Sequence, residues 1–130
     1  MSAVREQPIT VRQATRADRA LASTFVPPST ARGQLSLQML REHHGQLWVA
    51  VAQDGGAEQL VGLLLADEQT DGETCEPVGY IQELLVHPAY RRRGVAMHLL
   101  DAAERHFLDA RGFAAVTLVT TPENEAALRL

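Results

Sequence analysis

The sequence predicts one mixed α/β domain, and three observations carry that prediction. Hydrophobic periodicity alternates along the chain between about two and about 3.6 residues, in the order β-α-α-β-β-β-α-β-α. A helix opening after Gly94 sets Ala96, Leu99, Leu100, Ala103 and Phe107 on one face and Asp101, Glu104 and Arg105 elsewhere. Between them, Leu84-Leu85-Val86-His87-Pro88-Ala89-Tyr90-Arg91-Arg92-Arg93-Gly94-Val95-Ala96 passes from apolar strand through a proline turn into that helix. At 130 residues and 45% hydrophobic content, residues 1–130 form a single domain with a core of its own.

Each element has its own local signal. Ile9 to Gln13 alternates apolar and polar residues and reads as the first strand. Thr15-Arg16-Ala17-Asp18 then supplies an N-cap and a first-turn acid for a short helix to about Phe25, ended by Pro27-Pro28. A second helix is expected from about Gln34 to His43, with Leu37, Met39 and Leu40 as apolar contacts and Gly45 as its stop. Leu47 to Gln53 and Gln59 to Asp67 read as two strands of a hairpin turned at Asp54-Gly55-Gly56. Asp67 to Glu76 is an acidic loop and Val78 to His87 the next strand. Gly112 stands where a left-handed cap ends the long helix. Ala114 to Thr120 reads as a final buried strand, and Thr121-Pro122 as the start of another helix.

Composition narrows the function classes. The net charge is −4, so the triple arginine is a local cluster on an acidic protein, which fits one compact polyanion and argues against nucleic acid as a partner. Cys75 is the only cysteine and lies among acids, which disfavours a thiolate nucleophile or a thiolate metal site. The first residues lack a signal-peptide core, and the aliphatic run Leu60 to Ala66 is too short to span a bilayer. A cytoplasmic protein without a membrane partner is the expectation, and His43-His44 suggests a helix C-terminus, not a metal site.

The arginine–glycine turn is where chemistry concentrates. Free amides at the start of a helix, with the positive end of its dipole, bind phosphate without a dedicated side chain. Small residues at Gly94 and Ala96 let a phosphate approach the backbone closely. Neither the dinucleotide nor the P-loop glycine pattern is present. What stands there is Arg91-x-x-Gly94-x-Ala96, preceded by Leu84-Leu85-Val86 with Pro88 and Tyr90. This resembles the acetyl-CoA signature of the GNAT superfamily of acetyltransferases, and the element order agrees with that fold.

The resemblance implies a mostly antiparallel central sheet flanked by helices, with a bulged signature strand. It implies that the backbone of Leu84, Leu85 and Val86 holds the pantetheine arm, and that an N–H near Leu85 or Val86 faces the developing oxyanion. Arg91, Arg92, Arg93, Gly94, Val95, Ala96 and Met97 would hold the pyrophosphate. Asn124, with Ala127, matches a further family pattern that contacts the cofactor arm, whose tyrosine would fall at position 131. The family's last helix and strands are thus expected to be missing. The open edge of the Ala114–Thr120 strand would then favour a homodimer.

An amine must lose a proton to attack a thioester, directly or through water. Glu83 is the first candidate base, because burial in an apolar strand would raise its pKa toward a useful range; the alternative is a solvated face of that strand. Tyr80, Gln82 and His87 are weaker contributors. The function expected is acetyl transfer from acetyl-CoA, with no metal, to an amine of a small molecule or peptide. The alternative is a CoA-binding module with little or no catalysis.

Overall fold

Residues 8–26, 28–42 and 44–118 are described in the computed structural model of the chain. Strand β1 (Ile9–Gln13) is followed by helices α1 (Arg16–Ala22) and α2 (Ala31–Arg41). Strands β2 (Gln46–Asp54), β3 (Ala57–Thr70) and β4 (Pro77–Val86) come next. A 3-10 turn (Pro88–Tyr90) leads to α3 (Val95–Glu104), which runs on into a π-helical segment (Arg105–Ala110) before β5 (Ala115–Leu118). The five strands form one sheet in sequence order, antiparallel from β1 to β4, with β5 parallel to β4.

Local chemistry accounts for most boundaries. The Thr15 hydroxyl accepts the Asp18 amide while the Asp18 carboxylate accepts the Thr15 amide, so the first helix opens on a capping box. It ends at Ala22, earlier than the sequence suggests. α2 starts three residues before its expected position, because the Thr30 hydroxyl accepts the Gly33 amide and caps it. His43, the expected end of that helix, lies outside the described residues. Gly55 and Gly56 both have positive φ, as a two-residue hairpin turn of the I′ type requires. Pairing with β4, from Asp67↔Tyr80 to Thr70↔Pro77, carries β3 on to Thr70, so the acidic loop is shorter than Asp67–Glu76. Gly112, at φ +69, supplies the left-handed cap expected of it.

Each face of the sheet is covered. On one side Trp48, Val61, Leu64, Ile81, Leu84 and Val86 pack against Val95, Leu99, Ala103 and Phe107 of α3 and its extension. On the other, Val49, Val51, Leu63 and Leu65 pack against Ala22, Leu37 and Leu40 of α1 and α2. Gly79 is the point of closest approach, since a Cβ there would lie 2.5 Å from the Phe107 ring. β5 departs from expectation. It is half-buried, with Ala115 and Thr117 exposed, because it occupies the edge of the sheet among the described residues. Val119, Thr120 and the expected helix after Pro122 lie outside those residues.

Strand pairing is irregular at two points. The register between β2 and β3 shifts at Ala50/Val51, and that between β3 and β4 shifts at Leu65/Ala66. In the second, Leu65 pairs with Glu83 and Ala66 with Ile81, so Gln82 is the extra residue of a β-bulge in β4. β5 pairs with β4 only from Val78 to Ile81. Gln82 to Val86 therefore have β3 on one side and no strand partner on the other among the described residues.

Candidate functional site

The site is built where β4 ends and α3 begins. The His87 amide donates to the Val61 carbonyl at 2.7 Å, extending the ladder one residue past the strand. Its Nδ1 accepts the Ala89 amide at 3.1 Å and caps the 3-10 turn, so the role of His87 is to shape the turn. Tyr90 is buried beneath that turn, against the ring of His87, with its hydroxyl 3.4 Å from Gln59 Oε1.

Arg91, Arg92 and Arg93 are exposed, as a polyanion site needs. Arg92 at φ +66 and Gly94 at φ +75 are both left-handed, which reverses the chain sharply into α3. Arg92 takes this conformation at the expense of strain that a glycine would avoid. Gly94 is the N-cap of α3, and no side chain caps the helix there. The first amides of a helix have no carbonyl partner within it, so those of Val95, Ala96 and Met97 face outward with the dipole behind them. A Cβ on Gly94 would meet nothing within 4 Å. This open, uncapped, positively charged turn has the chemistry that a pyrophosphate requires.

A cleft of about 440 Å³ adjoins the turn, lined by Thr24, Phe25, Leu85, Val86, His87, Pro88 and Arg91. It joins the loop after α1 to the end of β4, so a ligand held at the arginine turn can extend along the strand. The ladder also sorts the strand's amides. In antiparallel pairing, alternate residues direct their N–H groups to opposite sides. With His87 donating to Val61, the Leu85 amide points toward β3, while those of Leu84 and Val86 point to the side without a strand partner. Of the two amides named from the sequence, Leu85 and Val86, only the second is directed off the ladder.

Glu83 is 5% exposed, which overturns the solvated-face alternative. It shares the α2 side of the sheet with Leu85, one step deeper along the strand. The Ser36 hydroxyl of α2 donates to its Oε1 at 3.1 Å. Sequence reasoning missed Ser36. The signal was present, since Gly33, Ser36, Leu37 and Leu40 follow the i, i+3, i+4, i+7 spacing of an inward face, and all four are buried. Tyr80 is half-buried and Gln82 is buried in the bulge. Asn124 lies outside the described residues.

The strongest electrostatic arrangement outside the turn is structural. Arg12 pairs with Asp18 at 3.2 Å and with Glu58 at 3.0 Å, tying α1 to the β1–β2–β3 edge. Burial works to raise the pKa of Asp18. Hydrogen bonds from the Thr15 amide and from Arg12 outweigh it, and the carboxyl lies below its ordinary range.

Fold and turn together place an open, uncapped, arginine-rich helix start at the end of one bulged strand. Residues 14–130 match the model of the acetyltransferase (GNAT) family, and the chain belongs to that family. Its fold is shared with an aminoglycoside N-acetyltransferase in complex with CoA, at 23% identity and a TM-score of 0.72, over 95% of this chain and 84% of that one. A ribosomal-protein-alanine N-acetyltransferase from Brucella melitensis biovar Abortus 2308 has 18% identity and a TM-score of 0.68, over 92% and 85% of the two chains. A predicted acetyltransferase with acetyl-CoA from Clostridium acetobutylicum has 16% identity and a TM-score of 0.67, over 92% and 86%.

Proposed function

We propose that this chain is an N-acetyltransferase that moves the acetyl group of acetyl-CoA to an amine of a small molecule or peptide. The observation that carries the reading is the succession, along one stretch of chain, of buried Glu83, an outward Val86 amide and the uncapped turn at Gly94. The acceptor class is supported by the printed names of relatives that act on aminoglycosides and on a ribosomal-protein alanine.

In this reading the amides from Arg92 to Met97 hold the pyrophosphate, and the arginines balance its charge. The outward amides of Leu84 and Val86 hold the pantetheine arm as an added strand would be held. Bound acetyl-CoA supplies an activated acyl group, whose C–S bond breaks as the amine's N–C bond forms. The Val86 amide donates to the carbonyl oxygen as charge builds there, a preorganised contact that typically changes rate by about 10²–10³-fold. Glu83 takes the amine's proton through water, because its burial keeps it out of direct reach of a bulky acceptor. The thiolate takes a proton from solvent as it leaves.

The test is titration with acetyl-CoA and with CoA, read as a melting shift, followed by thiol release over a panel of aminoglycosides, polyamines and peptides with free N-termini. A shift with both ligands, and thiol release with at least one amine, is expected. A shift without thiol release on any amine would leave a CoA-binding module in place of an enzyme. No shift at all would remove the reading entirely.

A further inference from the structure

We infer that Ser36 is a positioning residue for the Glu83 carboxylate, an inference that rests on Glu83 acting as the base proposed above. The two residues lie on α2 and β4, 47 positions apart, and meet inside the layer between helix and sheet. Ser36 is 0% exposed among Leu37, Leu40, Leu63 and Leu65 on that face. A hydroxyl buried among such side chains is costly unless it is hydrogen-bonded. A helical serine commonly satisfies itself by bonding back to the carbonyl of the preceding turn. Here it reaches across the layer instead, and its single proton is committed to Oε1 of Glu83 at 3.1 Å.

That direction of donation has a chemical consequence. A hydroxyl that donates to a carboxylate favours the ionised form, the one able to receive a proton. It also helps to orient the carboxylate by holding Oε1 toward α2. The bulge places Gln82 and Glu83 where α2 passes, and α2 opens close behind the Thr24–Phe25 loop that walls the cleft. Ser36 thus ties α2 to the group that takes the acceptor's proton.

The experiment compares Ser36→Ala, Ser36→Cys, Glu83→Gln and the Ser36→Ala/Glu83→Gln double variant for kcat, KM and the acetyl-CoA melting shift. Ser36→Cys keeps the side-chain volume with a weak donor, so it reports on the hydrogen bond even where alanine disturbs the packing. Both Ser36 variants are expected to lower kcat about tenfold, the scale of one hydrogen bond to a charged group, at unchanged KM for acetyl-CoA and unchanged melting shift. In the Glu83→Gln background, Ser36→Ala should lower kcat no further, because the two act as one unit. Ser36 variants with wild-type kcat beside a slow Glu83→Gln, or effects that multiply in the double variant, would overturn the inference and leave the base in place. A wild-type kcat in Glu83→Gln would instead overturn the base.

Discussion

The guanidinium carbon of Arg93 stands 5.0 Å from the centroid of the Tyr90 ring. Tyr90 is buried, so the arginine covers a ring on which the turn packs. The sequence groups Arg93 with its two neighbours as a contact to phosphate. The geometry adds a contact to the Tyr90 ring.

Arg93→Ala should therefore weaken acetyl-CoA binding by only about 0.5–1 kcal/mol, the scale of an exposed cation–π contact. Arg93→Lys should retain most of the affinity, since a cation over the ring survives. Calorimetric titration of the three proteins checks this. A loss as large as that produced at Gly94 would mean that Arg93 grips the phosphate directly.

Gly94→Asp should abolish the acetyl-CoA melting shift by placing a negative charge at the mouth of the uncapped helix. Gly94→Ala separates charge from conformation. Space is open around its Cβ, so the expected cost is the left-handed strain alone, roughly 1–2 kcal/mol of stability, with the ligand shift largely kept. An unchanged shift in Gly94→Asp would remove the turn from the binding site.

Asp18→Asn should lower stability at neutral pH by roughly 1–2 kcal/mol, through loss of a cap and of a charged partner for Arg12. The folded pKa of Asp18 is depressed, so its contribution is present above the unfolded value of about 3.9 and is lost as pH falls through the folded value. Denaturation of both proteins should show a constant difference at neutral pH that shrinks on acidification below about pH 4. A difference that widens in acid would contradict the assignment.

Gly79→Ala should destabilise the fold by roughly 1–3 kcal/mol, as overpacking does in a filled core. The added methyl would meet the Phe107 ring, which Trp48 and Phe113 hold from its other sides at centroid distances of 6.0 and 5.5 Å. Urea denaturation would measure it. Unchanged stability would show that Phe107 has room to move, contrary to its full burial.

The features legible in the sequence have local causes. The Thr15 cap, the Gly55-Gly56 turn, the Gly112 cap and the arginine–glycine turn each announce themselves within a few residues. The bulge at Gln82 does not, because it sits among residues buried on both faces, and a register shift leaves no mark on an unbroken run. The π-helical turn at Arg105–Ala110 is hidden in the same way, since Phe107 stays on the apolar stripe through it. Ser36 is visible as a polar residue in an apolar row, but its partner lies 47 residues away, and no local pattern names it. β5 reads as buried because hydropathy describes a strand's composition and not its place at an edge.

The bulge at Gln82 has one more effect. A strand is a two-phase object, and a single inserted residue exchanges the phases from that point on. Ile81 and Leu84 face α3 together although three positions separate them, and this leaves Glu83 and Leu85 to the α2 side. Were the strand to run through Gln82 without a bulge, the carboxylate would be delivered to the greasy interior beneath α3 and Leu84 to the layer that Ser36 occupies. The placement of the carboxylate in this molecule is thus decided by parity: one bulged residue determines which side of the sheet carries it.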